Sequence, residues 1–244
     1  MRVPSAAELV DIWEVGASQP LPRRVLRLLA AACPEASGDE LLALTVGRRD
    51  ARLLQLDEGL IGATLTVVAP CAACGEQLES CVPVADIPLG EDPAIDPIHT
   101  LRTDGYDVSF RLPASADLVA LADDSEADAR SVLLARCLIE ARDAEGQCVA
   151  AESLPRHVVA AVAAQMSSAD PQADVQLDLT CPACEHRWQA TFDIARFLWN
   201  EIHAWARRTL RDVHVLARAY GWREADVLAL SPTRRQMYVE LSRQ

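Results

Sequence analysis

Four of the eight cysteines form two C-x-x-C motifs, Cys71 to Cys74 and Cys181 to Cys184. The two side chains of such a motif can bind one ion, and two motifs brought together supply four thiolates in a closed tetrahedral shell. That donor set suits zinc and leaves no open coordination position, so the metal is expected to be structural rather than catalytic. The sequence therefore predicts one structural zinc ion per chain, bound by Cys71, Cys74, Cys181 and Cys184.

The segments beside each motif have the pattern of β-strands. Residues 175–180 and 187–192 alternate apolar and polar side chains on the two sides of the second motif, which is typical of half-buried strands. An apolar run at 65–68 precedes the first motif, and a second apolar segment follows it. Each motif is thus predicted to form the tip of a β-hairpin. The two hairpins, in residues 63–87 and 174–193, would form a zinc-ribbon-like module whose halves are far apart in sequence.

Two redox-active dithiols, or unpaired core cysteines, are the alternative interpretation of these motifs. A redox C-x-x-C normally occurs once, at a strand-to-helix junction, and two motifs in hairpin settings argue against it. Cys81 lies seven residues after Cys74 and could compete as a ligand, whereas His186 is not expected to bind because four cysteines complete the shell. The cysteines outside the motifs are expected to be small buried apolar residues: Cys33, Cys81, Cys137 and Cys148.

The composition indicates a folded protein of the reducing cytoplasm. Half of the 244 residues are apolar, no apolar segment reaches the length of a membrane span, and the first residues lack the apolar core of a signal peptide. The net charge of −13 disfavours nucleic-acid binding, although the C-terminal third is richer in arginine than the middle.

Helical patterns dominate the remainder of the chain, so the predicted fold class is α+β, mainly helical, with two β-hairpin knuckles. A capping box begins at Ser37, and a helix starting at Thr45 carries a cluster of charged side chains that is expected to form a solvated face. Trp199 lies off the apolar stripe of the longest helix. The other predicted elements are helices over Leu21 to Ala32, Glu126 to Arg142, Pro155 to Met166 and Ile194 to Ala219, two short C-terminal helices, a strand over Tyr106 to Phe110, and an acidic loop over Pro88 to Pro97.

No catalytic motif stands out. The sequence contains no G-x-S-x-G, no P-loop, no G-x-G-x-x-G and no H-E-x-x-H. Its five histidines are scattered, so the residues do not predict an enzyme.

The order of several segments resembles the T-even-type phage baseplate protein family, in the form found in contractile phage-tail-like particles and extracellular contractile injection systems. The resemblance runs from about Leu41 to the C-terminus and leaves the first 40 residues as a separate N-terminal helical segment. Residues 41–244 would then be the family domain, ending in a helical segment at 194–244. The segments that carry the resemblance are LTVGRRDARLLQL, the first knuckle, FRLPASADL, CPAC, FDIARFLWNEIHAWA and AYGWREADVLALSPTRRQMYVEL.

The resemblance implies a structural role in a baseplate, with other baseplate, hub or spike proteins as partners and no enzymatic activity. It leads to the expectation that zinc locks the two hairpins while the C-terminal helices dock onto a neighbouring subunit of the particle. The alternative is a zinc-ribbon regulator that binds nucleic acid or a polymerase subunit, which would need a basic surface. A metal-dependent enzyme is a third class, and it would need an open coordination position.

Overall fold

The computed structural model describes residues 1–87, 98–123 and 128–243, and the chain divides into two compact units. The first unit is Met1–Glu35 with Ala195–Gln244, and the second is Ala36–Ile194. The loop predicted over Pro88 to Pro97 and the first residues of the helix predicted from Glu126 lie outside the described residues. The division of the chain at residue 40 stays a prediction.

The described residues form ten α-helices and seven β-strands, which confirms a mainly helical α+β fold with small antiparallel hairpins. None of the described helices is long and apolar enough to cross a membrane. The helices are α1 (Ala6–Gly16), α2 (Leu21–Ala32), α3 (Gly38–Ala43), α4 (Val46–Leu60), α5 (Ser115–Asp123), α6 (Ala129–Cys137), α7 (Arg156–Ala169), α8 (Ile194–Tyr220), α9 (Glu224–Leu228) and α10 (Pro232–Leu241). The strands are β1 (Thr64–Pro70), β2 (Gln77–Pro83), β3 (His99–Thr103), β4 (Tyr106–Phe110), β5 (Leu138–Arg142), β6 (Gln176–Thr180) and β7 (Arg187–Thr191).

The first unit is helical, and Trp199 on α8 lies inside it. Although Trp199 is off the main apolar stripe, it is only 5% exposed. Its ring lies so close to Gly16 that a Cβ there would come within 2.4 Å, and the Arg24 guanidinium sits 5.0 Å from the ring centroid. The absence of a side chain at Gly16 therefore makes room for a tryptophan that helical periodicity alone does not place in the core.

The three C-terminal helices predicted from the sequence are present, and they pack on one another. Ser231 caps α10 through its side chain, and a proline occupies the first helical turn. Leu216, Val227 and Val239 form a buried cluster that joins α8, α9 and α10. These three helices are thus held together by a small apolar core of their own.

The second unit contains a three-stranded antiparallel sheet in the order β3-β4-β5, packed against α7. Its buried cluster includes Val108 and Phe110 from β4, Ala141 from β5, and Val158 from α7. The strand predicted at Tyr106 to Phe110 is confirmed as β4.

The helix predicted to reach Arg142 is wrong at its C-terminal end. Helix α6 stops at Cys137, and Leu138–Arg142 form β5, with Ala141 paired to Val108 of β4. Pairing to a neighbouring strand and burial against α7 outweigh the helical preference of this short segment, because strand formation depends strongly on its partners.

The charged cluster on α4 is not the solvated face that was expected. Arg49 is 5% exposed and its guanidinium lies 2.7 Å from the Asp50 carboxylate. Burial raises the pKa of Asp50 to about 6, although the charge of Arg49 and its hydrogen bond oppose the shift. Two residues before Arg49, the Gly47 N–H donates to Oδ2 of buried Asp170 at 2.9 Å. This face of α4 is therefore a buried polar contact within the second unit.

Candidate metal centre

Both C-x-x-C motifs lie at the tips of β-hairpins, as predicted. Strands β1 and β2 pair in register up to Pro70 opposite Gln77, and β6 and β7 pair up to Thr180 opposite Arg187. The motifs occupy the connections that follow those last pairs. Each hairpin is its own two-stranded sheet.

The two knuckles have the same backbone hydrogen bonds. In the first, the Cys71 N–H donates to the Glu76 carbonyl at 2.8 Å, and the Gly75 N–H donates to the Cys71 carbonyl at 2.9 Å. In the second, the Cys181 N–H donates to the His186 carbonyl and the Glu185 N–H to the Cys181 carbonyl, both at 2.9 Å. The same local fold thus presents both thiol pairs.

The residue that follows the second cysteine of each motif has left-handed backbone geometry. Gly75 has φ 76° and Glu185 has φ 57°. Glycine adopts left-handed geometry without strain, so Gly75 is a sequence signal for this turn. Glu185 gives no such signal, because left-handed geometry costs a residue with a Cβ about 1–2 kcal/mol.

Exchanging the residue types at these two positions is expected to move stability in opposite directions. Glu185→Gly should raise the free energy of unfolding by about 1 kcal/mol, because it relieves left-handed strain, and Gly75→Glu should lower it by a similar amount. A Cβ at Gly75 would have nothing within 4 Å, so steric contact does not contribute there. Urea unfolding of both variants with excess zinc measures the effect. Changes of the same sign at the two positions would contradict it.

The four thiols converge on one point. Cys71 Sγ lies 3.7 Å from Cys184 Sγ, and Cys74 Sγ lies 3.7 Å from Cys181 Sγ, so each thiol of the first motif contacts a thiol of the second. All four sulfurs lie within 4.8 Å of one another. Zinc–sulfur bonds of about 2.3 Å in a tetrahedron place the sulfurs about 3.8 Å apart. The geometry fits a single metal ion bound by two segments more than 100 positions apart.

The thiols differ in exposure. Cys71 and Cys181, the first cysteine of each motif, are only 2% and 1% exposed, whereas Cys74 and Cys184 are exposed. A metal bound here would thus have a buried side and a side near the surface.

Backbone N–H groups point at the sulfurs and favour thiolates. The N–H groups of Cys74 and Ala73 help to lower the pKa of Cys71 to about 6. The N–H of Glu76 also lowers the pKa of Cys74, but the neighbouring thiols and burial raise it to about 12. Without a cation, the thiols of Cys71 and Cys74 therefore do not both ionise near neutral pH. A bound dication would reverse this, since metal binding to cysteines displaces their protons.

Cys81 and His186, the two other residues considered as ligands, lie outside the group of four thiols. Cys81 is exposed on β2 opposite Thr66 and does not belong to the four-thiol cluster found among the described residues. The His186 ring stacks on Trp188 with centroids 5.8 Å apart and is likewise outside the cluster. Of the other cysteines, Cys33 and Cys137 are buried as expected, whereas Cys81 and Cys148 are exposed, which corrects that expectation.

Comparison with known proteins identifies the family. The family model described as T4 bacteriophage base plate protein matches residues 21–199, nearly three quarters of the chain and both knuckles. The match begins before Leu41, where the sequence resemblance starts, and ends within α8, so the C-terminal YGW-to-RRQMY segment lies outside it. Neither a curated protein nor a solved structure matches the chain significantly. The chain belongs to the T4 bacteriophage base plate protein family.

Proposed function

We propose that the protein is a structural component of the baseplate of a contractile phage-tail-like injection system. In this role, one zinc ion bound by Cys71, Cys74, Cys181 and Cys184 clamps the two hairpins together. The helices from Ile194 onward dock onto a neighbouring baseplate, hub or spike subunit. The chain acts as a non-enzymatic adaptor that is made in the cytoplasm and incorporated into the particle.

The convergence of four thiols from two distant hairpins, in a chain of this family, is the observation that carries the proposal. A tetrahedral set of four sulfurs suits zinc or iron. We favour zinc because it has no redox chemistry and is the usual ion in closed structural sites of this type. Such an ion contributes folding free energy, on the order of 10 kcal/mol in small zinc modules.

The charge distribution supports the baseplate role over a nucleic-acid-binding zinc ribbon. Residues 36–194, which contain both knuckles, carry 10 arginines and 27 acidic residues, a net charge of −17. Phosphate backbones are repelled by such a surface. Four protein ligands also leave no open position for a substrate, which argues against a metal-dependent enzyme.

The C-terminal helices carry features of a protein interface. Tyr220, Trp222 and Tyr238 contact one another with ring centroids 4.9–6.1 Å apart. Tyr220 is exposed, as are Met237 and Leu241 on α10. Aromatic side chains beside arginines are common anchors in interfaces. This exposed aromatic and apolar surface supports docking through the C-terminal segment.

A complementation experiment in cells that make the particle tests the proposal. Deletion of the chain is expected to abolish assembled particles in electron micrographs, the full chain should restore them, and a chain without Ile194–Gln244 should not. Zinc content of the purified truncated chain shows whether its metal module is intact. Normal particle yield without the protein, or with the truncated chain, would refute the docking role.

A further inference from the structure

A groove between α8 and α10 is rich in arginine. It has a volume of about 430 Å³ and lies entirely within the first unit. Residues of both helices and Arg243, just after α10, line it. They include an aromatic side chain, four guanidinium groups and one carboxylate: Trp205, Arg208, Arg211, Asp212, Arg235 and Arg243.

The one carboxylate among these residues already has a partner. Asp212 Oδ2 lies 3.3 Å from Nε of Arg235, whose side chain is 7% exposed. Arg235 also reaches the Thr209 hydroxyl at 3.5 Å. Arg208, Arg211 and Arg243 are exposed and make no side-chain hydrogen bond or ion pair within the part of the chain that the structure describes. The groove therefore presents three unpaired guanidinium groups beside an aromatic ring.

This positive surface stands out against the charge of the whole chain. Residues 195–244 contain nine arginines and five acidic residues, a net charge of +4 in a protein whose total is −13. All 23 basic residues of the chain are arginine, so every cation in the groove is a planar guanidinium that can bind a carboxylate through two parallel hydrogen bonds.

We infer that the groove between α8 and α10 binds an acidic peptide segment of a neighbouring subunit. Carboxylates of that segment pair with Arg208 and Arg211, and an apolar side chain packs on Trp205. This inference rests on the proposed docking role and specifies its surface and partner chemistry. A peptide fits better than a nucleic acid because the groove has room for only a few side chains of a ligand, and because the net charge of −13 on the whole chain disfavours approach of a phosphate backbone.

Charge reversal inside and outside the groove tests the inference. The test variant is Arg208→Glu with Arg211→Glu. The control is Arg207→Glu with Arg218→Glu, which makes the same charge change on the same helix at exposed positions that do not line the groove. At 100° per residue, the control positions lie about a third of a turn from the mean direction of the α8 residues that line the groove, on the side of Arg211 at its edge. All four positions are exposed, and thermal unfolding verifies that both variants fold.

Binding is measured with a fluorescein-labelled peptide of alternating Glu and Leu, and with a single-stranded DNA oligonucleotide of equal charge, at about 0.15 M salt. The test variant is expected to bind the peptide at least about tenfold more weakly than wild type, with little change in the control. Equal loss in both variants, absence of peptide binding, or tighter binding of the DNA would overturn the inference.

Incorporation of the same variants into particles separates the two proposals. If particles require the chain but accept the test variant as readily as the control, the groove is not the docking surface and the baseplate role stands. If particles form without the chain, the baseplate role fails, whatever the peptide measurements show. Selective loss of the test variant from particles supports the groove as the docking surface.

Discussion

Replacing Cys181 and Cys184 with serine is expected to remove bound zinc completely and to unfold the module formed by the two hairpins. Wild-type protein should contain one zinc per chain, and the variant none. The loss approaches the scale of the whole fold, since a structural zinc contributes on the order of 10 kcal/mol in small modules, against about 5–15 kcal/mol for the net stability of a domain. Metal analysis and urea unfolding measure the two effects.

The architecture explains why the hairpins depend so strongly on the metal. Each hairpin is an isolated two-stranded sheet, and such hairpins are at best marginally stable in water. Leu65, which pairs with Val82 far from the knuckle, and Leu78, which pairs with Ala69 beside it, are buried. The other positions of β1 and β2 are half-buried or exposed. Each strand of this hairpin therefore buries a single large apolar side chain, and the four sulfurs join its tip to the second hairpin.

The control variant replaces Cys81 and Cys148 with serine, since both thiols are exposed and lie outside the four-thiol group. It should retain one zinc per chain and unfold like wild type. Zinc retained by the Cys181, Cys184 variant would contradict a single shared site and would favour separate sites at each motif. Loss of zinc from the control variant would instead indicate that Cys81 is a ligand.

The candidate site was predictable because its local signals are strong. A C-x-x-C between alternating segments specifies a knuckle with little help from the rest of the chain, and four cysteines have few ways to complete a tetrahedral shell. The two knuckles are far apart in sequence, so their contact could be inferred only because each supplies two of the four ligands that a tetrahedral site needs. The left-handed geometry at Glu185 was missed, since glutamate gives no signal for it.

The fold was less predictable wherever distant pairing decides the structure. Strand β3 was missed, although Asp104 and Gly105 both have positive φ and form the Asp-Gly turn that commonly joins two strands. The signal was therefore present in the sequence. For β5 no comparable local signal exists, because its conformation comes from pairing with β4 and packing against α7.

Buried charge was the other source of error. Charged residues on a helix usually face solvent, so periodicity gave no reason to bury Arg49 and Asp50 of α4. The turn after α7 lies against this helix, and its Asp170 accepts a hydrogen bond from the Gly47 backbone N–H. Only the three-dimensional structure brings these two segments together.

Replacing Gly47 with alanine is expected to destabilise the second unit by about 3 kcal/mol, although alanine normally favours a helix over glycine by about 1 kcal/mol. An added Cβ would lie 1.8 Å from Oδ1 of Asp170. Asp170 is buried and accepts the Gly47 N–H, so it cannot move aside without losing that buried hydrogen bond. The close contact therefore outweighs the helical preference, and urea unfolding with excess zinc measures the result.

The matched control is Gly38→Ala, at the first position of α3, where an added Cβ would have nothing within 4 Å. It should leave stability unchanged or raise it by up to about 1 kcal/mol. Combining Gly47→Ala with Asp170→Ala should cost clearly less than the sum of the two single changes, because removing the carboxylate also removes the steric conflict. Additive losses, or a Gly47→Ala variant as stable as wild type, would mean that Asp170 does not bind the start of α4 at this distance.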